Sequence, residues 1–180
     1  MIENTGEFNF NETVKLAVNG DAAAFAELYS RVYKELYYVA LYSLKNGADA
    51  QDAVSDAVLD AFMTIRKLRD ETAFKAWIMK ILSAKIKRKF KEYAKESLSV
   101  PVEAGETLIE TPEPDCDLID VKREIARLDR VDRLTLSLSV ICGYTSAQIA
   151  KMTGMNANTV RSRIMRTKEK LREKLLIKGE

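Results

Sequence analysis

The sequence predicts an all-α fold in two small helical domains, and three observations carry that prediction. Apolar residues recur at three- and four-residue spacing through both halves of the chain. Glycine and proline are scarce, at seven and three in 180 residues. All three prolines, Pro101, Pro112 and Pro114, fall in one acidic stretch between the halves. Proline fixes φ and removes a backbone donor, and neighbouring carboxylates repel one another, so 96–118 reads as an extended linker. The chain then divides into a tail at 1–9, a domain at 10–95 and a second domain at 119–180.

In the first domain Asp21 is placed to cap a long helix whose buried stripe is Phe25, Leu28, Val32, Leu36, Val39 and Leu44. Asn46-Gly47 offers that helix a left-handed stop. A second helix is expected over about 49–68, with Val54, Val58, Ala61, Phe62 and Ile65 inward. Its opposite side carries Asp49, Asp52, Asp56 and Asp60, again at helical spacing. A third helix follows Asp70 or Thr72 and turns Phe74, Trp77, Ile78, Ile81 and Leu82 inward. In the second domain a short helix holding Ile149 and Ala150 leads to a turn at Gly154. Asn156 then caps a last helix.

Composition excludes several kinds of chemistry. The chain has no histidine, which removes the usual zinc ligand, general base and partner of a nucleophile. Cys116 and Cys142 are isolated and form no CxxC pair, so they read as two reduced thiols. No metal or other cofactor is expected, and no catalytic residue. No segment approaches the ~20 apolar residues of a membrane span, and the first residues lack a signal-peptide pattern, so the expected location is the cytoplasm.

The net charge of +2 hides a strong asymmetry. Residues 75–95 hold eight basic side chains against one acidic, 96–118 hold seven acidic and none basic, and 157–178 hold eight basic against two acidic. Two positive blocks around a negative one point to a polyanionic partner.

The last block carries the clearest motif. Helix, short glycine-containing turn and helix is the helix-turn-helix plan, whose second helix enters the DNA major groove. Val160, Ile164 and Leu171 share one side of that helix, which leaves the arginines free of the core. The candidate duplex contacts are Asn158, Thr159, Arg161, Ser162, Arg163, Met165, Arg166 and Lys168. Arginine suits guanine edges bidentately, asparagine suits adenine, and lysine suits phosphates. In the earlier block, Trp77, Lys80, Lys85, Lys87, Arg88 and Lys89 combine cations with an aromatic ring, as single-strand binders do. The competing reading is that Trp77 anchors the core while the lysines solvate a helix. The aspartate stripe is either a solvated face or a surface for a basic partner.

Taken together these motifs resemble the sigma factors of bacterial RNA polymerase, in particular the two-domain extracytoplasmic-function (ECF) group of the sigma-70 family. "DAAAFAELYSRVY", "DAQDAVSDAVLDAF" and "FKAWIMKIL" are similar in order and spacing to sigma region 2. The stretch from "LDRVDRLTLSLSVICGY" to "RTKEKLREKL" is similar to region 4. The resemblance implies that Asp49, Asp52, Asp56 and Asp60 face core RNA polymerase. It implies that Trp77, Lys80, Lys85, Lys87, Arg88 and Lys89 serve minus-ten recognition and melting of promoter DNA, and that the last helix reads the minus-thirty-five element. Some members of the family are held inactive by an anti-sigma factor that occludes the polymerase-binding surfaces. This chain departs from the common pattern at Ala84, where many members carry asparagine, at Arg88, where an acidic residue is common, and at Gln148, where glutamate is usual. An unusual promoter sequence is therefore expected.

Two other classes fit part of the pattern. A helix-turn-helix regulator would bind duplex DNA independently of polymerase, and a helical adaptor would use the basic blocks as ordinary surface. A metal-dependent nuclease built on the aspartates fits least, because carboxylates along one solvated helix face do not converge on an ion.

Overall fold

The computed structural model describes residues 8–99 and 116–176 of the chain. Among the described residues there are eight α-helices and no strand. The first helix, α1 (Phe10–Val18), is capped by Asn9, which accepts from the Glu12 amide, and it buries Val14 and Ala17. Asp21 caps α2 (Ala22–Leu44) as its position suggests, accepting from the Ala24 amide at 3.0 Å. The whole stripe from Phe25 to Leu44 is buried.

The end of α2 differs from the expected glycine stop. Lys45 takes the left-handed conformation at φ 62°, and its N–H caps the Leu41 carbonyl. Asn46 is instead the N-cap of α3 (Gly47–Thr64), accepting from the Asp49 amide. Asn46 serves the helix that follows, so α2 must terminate one residue earlier, and Lys45 takes the left-handed position that glycine usually fills.

Alanine carries more of the α3 interface than expected. Ala50, Ala53, Ala57 and Ala61 are buried with Val54, while Val58 is half-buried and Phe62 is 49% exposed. Small side chains let α3 approach α2 and α4 closely, which pushes the large Phe62 ring to the rim, 5.1 Å from Phe25 and edge-on to it. Two 3₁₀ turns, Ile65–Lys67 and Glu71–Ala73, lead to α4 (Phe74–Ser99). Asp70 caps the second of them through the Thr72 amide. Phe74, Ile78, Leu82 and Ile86 are fully buried, and Trp77 and Ile81 are half-buried. Helix α4 continues through Ser99, into the segment read as linker; residues 100–115 lie outside the described part.

The second half begins with α5 (Cys116–Ala126), then α6 (Arg130–Val140), α7 (Ser146–Thr153) and α8 (Ala157–Leu176). Gly154 supplies the left-handed residue after α7, and Asn156 caps α8 through the Asn158 amide. Val160 and Ile164 pack with Leu134, Leu138, Ile149 and Met152 in one core. That core is continuous with the first, because α2 lies against α6 and α4 against α7.

Among the described residues, Arg133, Lys45, Lys87 and Arg130 help to fasten the join by donating to backbone carbonyls. Buried Arg133 bonds Ser43 O and Leu128 O, Lys45 bonds Ala126 O, Lys87 bonds Thr153 O, and Arg130 bonds Phe90 O. Ser43, Ala126 and Thr153 lie in the last turns of α2, α5 and α7, so the contacts to them satisfy carbonyls that helix ends leave unpaired and complement the negative ends of the helix dipoles.

Candidate nucleic-acid interface

Helix α8 presents its expected reading face outward. Asn158, Thr159, Arg161, Ser162, Met165, Arg166 and Lys168 are exposed, Met165 at 63%, while Val160, Ile164 and Thr167 are buried beneath them. The α7 to α8 angle is set locally. Thr145 caps α7 and Gln148 closes a reciprocal capping box, its side-chain oxygen accepting from the Thr145 amide at 2.9 Å. A glutamate would make the same bond, so the substitution at this position keeps the fold and removes only a charge.

Arg163 differs from its neighbours. Its guanidinium turns toward α6, 2.6 Å from Asp132 and 3.2 Å from Asp129. Asp129 is itself the N-cap of α6, accepting from the Val131 and Asp132 amides. The hydrogen bond to Asp132 pushes the Arg163 pKa up, locking the charge in place. Arg163 thus ties the reading helix to the start of α6.

The basic groups of α4 and the aspartates of α3 meet each other. Lys89 sits 2.7 Å from Asp49 and 3.9 Å from Asp52, Arg88 pairs with Asp56, and Lys85 pairs with Asp60 at 2.5 Å. The two helices run antiparallel, so Asp49, Asp56 and Asp60 along α3 meet Lys89, Arg88 and Lys85 in reverse order along α4. Tyr93 adds a hydroxyl bond to Asp49. Partial burial works to raise the Asp49 carboxyl pKa, but the Lys89 and Tyr93 hydrogen bonds and the Lys89 charge outweigh it, holding that pKa below the usual range. The same carboxylate holds the Tyr93 hydroxyl protonated, after burial has already raised its pKa.

Beyond this ladder lies an open groove of about 520 Å3 whose lining includes Trp77, Lys80, Ile81, Ala84, Lys85 and Arg88. It gathers four of the six residues assigned to strand contact and adds Asp60. Lys87 points elsewhere, into the contact with α7, and Lys89 into the ladder. Farther along α3, Leu59 and Met63 are 61% and 70% exposed. Their positions outside the inward stripe gave a sequence signal for this apolar surface. Among the described residues no group of His, Cys, Asp and Glu is placed to hold a metal ion. No helix among them is long and apolar enough to cross a membrane.

Comparison with known proteins matches the chain to two family models. Residues 28–96 match sigma-70 region 2, and residues 118–171 match sigma-70 region 4. The ECF RNA polymerase sigma factor SigM of Mycobacterium tuberculosis is 28% identical, over 89% of this chain and 81% of its own. The ECF RNA polymerase sigma factor SigW of Bacillus subtilis is 24% identical, over 94% and 98%. Among solved structures, the sigma factor RpoE of Bartonella quintana, in complex with the anti-sigma factor NepR, gives a TM-score of 0.75 at 22% identity, covering 85% of this chain and 97% of that one. CnrH in complex with the cytosolic domain of CnrY gives 0.66 at 22%, covering 95% and 98%. With both regions present, in order and on either side of residues 100–115, the chain belongs to the sigma-70 family and has the two-domain plan of its ECF group.

Proposed function

We infer that this chain is an ECF-type specificity subunit, which recruits core RNA polymerase to a set of promoters and catalyses nothing itself. The observation that carries the reading is the pairing of regions 2 and 4 in one chain with the α8 reading face turned fully outward. The domains are assigned as 10–95 for polymerase binding and minus-ten opening, 96–118 as linker, and 119–180 for the minus-thirty-five element. Exposed Asp52, with the outer edges of Asp49 and Asp56 and the apolar Leu59 and Met63, supports a protein-facing surface on α3. Arg161, Ser162, Met165 and Arg166 supply the base contacts on α8, and Lys168 the phosphate contact. Promoter DNA and core polymerase are the partners, and the place of action is the cytoplasm. An anti-sigma factor is the third partner class, supported by the two structural neighbours that were solved with such partners or with a cytosolic domain.

The packed arrangement bears on how such a subunit works. Minus-ten and minus-thirty-five elements lie roughly 25 base pairs apart, about 85 Å at ~3.4 Å per pair, whereas α4 touches α7. The domains must separate to read both elements. Sixteen residues, 100–115, can span on the order of 55 Å when extended.

The test is a comparison of Arg166→Ala with the parent holoenzyme on promoters varied at the minus-thirty-five element. A loss of roughly 1–3 kcal/mol confined to particular sequences is expected for a bidentate base contact. Equal loss on every sequence would reduce Arg166 to a phosphate contact, and binding of duplex independent of core polymerase would favour a simple helix-turn-helix regulator.

A further inference from the structure

We propose that Asp60 determines specificity in the α3–α4 groove by selecting an unpaired base that carries an exocyclic amino group, adenine, cytosine or guanine, over thymine. The inference rests on the initiation reading above and deepens it: it moves Asp60 from the polymerase face to the DNA side.

Position is the first argument. Asp60 is the last of the α3 aspartates, and unlike the other three it lines the groove with Trp77, Lys80, Ala84, Lys85 and Arg88. The helix pair does not need it for packing, because Ala57 and Ala61 of α3 and Ile78, Leu82 and Ile86 of α4 are buried beneath. Its side chain is 44% exposed, and its Oδ2 meets Lys85 while Oδ1 takes no hydrogen bond among the described residues.

Chemistry is the second. Lys80 and Arg88 bring positive charge to the rim, where a strand's phosphates would run, and half-buried Trp77 offers a ring face or edge to an unstacked base. The groove wall at Ala84 ends at a methyl group, so it leaves room and offers a base no polar partner. The polar group opposite comes from α3 instead. An ionised carboxylate only accepts hydrogen bonds, so at an unpaired base it favours the amino groups at N4 of cytosine, N6 of adenine or N2 of guanine and disfavours thymine, whose edge carries one N3–H between two carbonyl oxygens. Lys85, only 16% exposed, neutralises the carboxylate enough for it to sit beside a polyanion.

The experiment is transcription by holoenzyme from a promoter library randomised through the minus-ten element, with the parent chain and with Asp60→Asn. The parent is expected to disfavour thymine against adenine, cytosine and guanine at one non-template position by roughly tenfold or more. Asp60→Asn, whose amide can turn either its N–H or its oxygen to the base, is expected to flatten that position alone and to leave affinity for core polymerase unchanged. A second arm uses the parent chain on a promoter whose base at that position has its amino group dimethylated, which removes both N–H donors without altering the protein. The same roughly tenfold loss is expected there. An unchanged base profile in Asp60→Asn, no effect of dimethylation, or weakened core binding by the variant would each overturn the assignment. A parent chain that yields no new start sites would overturn the initiation reading itself, a separate outcome.

Discussion

Arg163 and Arg166 stand one turn apart on α8 and have different tasks. Helical phase alone places both beside the reading face, and only the fold reveals that Arg163 turns back to Asp129 and Asp132 while Arg166 stays exposed. Arg163→Ala is therefore expected to cost about 1 kcal/mol of stability and to weaken DNA binding evenly across sequences, in contrast to Arg166→Ala; urea unfolding beside binding to a promoter panel separates the two. Gln148→Ala, which breaks the capping box, is expected to lower stability by about 1 kcal/mol, whereas Gln148→Glu leaves it nearly unchanged in the same unfolding assay. Ser43 is fully buried in α2, and its hydroxyl has no hydrogen-bond partner among the described residues. Ser43→Ala removes that unpaired group and raises helix propensity, so a gain of about 1 kcal/mol is expected. The caps Asp21 and Asn156 were legible in the sequence because a cap is a local bond, made within three residues of its own position, whereas Asp70, one of two candidates for the start of the third helix, caps the 3₁₀ turn ahead of it.

Among the elements, the long amphipathic helices and the short α7 were readable, and α1, α5 and α6 were not. Helix α2 shows its buried stripe through six apolar residues, but α1 is nine residues long and α6 buries Arg133, Thr135 and Ser137 beside its leucines, which blurs the period. The aspartates of α3 and the cations of α4 were each visible as stripes. Their pairing was not, because it depends on two helices lying antiparallel, a tertiary fact. In hindsight the opposite charge of the two neighbouring helices is the signal. Asp49 gives this ladder a pH signature. A carboxyl whose pKa is lower folded than unfolded contributes stability above the unfolded value of about 4, and that contribution is lost as pH falls through the folded pKa. Asp49→Asn is accordingly expected to narrow the difference between stability at neutral and at acid pH. Denaturant unfolding across pH 2 to 7 checks this, and parallel curves for both proteins would contradict it.

At the scale of the molecule, the contact between the halves is what sequence reasoning could not supply. Nothing local in the sequence announces that Arg133 reaches Ser43 across 90 residues. Burial pushes the Arg133 pKa down to about 10, which still leaves the guanidinium charged at neutral pH. Arg133→Ala is expected to loosen the closed form and enlarge the free protein's radius of gyration in solution scattering. Because reading both promoter elements is inferred to need the halves apart, the same change is expected to ease engagement of promoter DNA by the holoenzyme. The central claim is tested most directly by mapping transcription start sites with purified core RNA polymerase on genomic DNA, with and without this protein. New, discrete start sites that depend on the chain and share common upstream sequences at two separated positions are the expected result. An identical start-site map in both reactions, with folded and uninhibited protein, would contradict it.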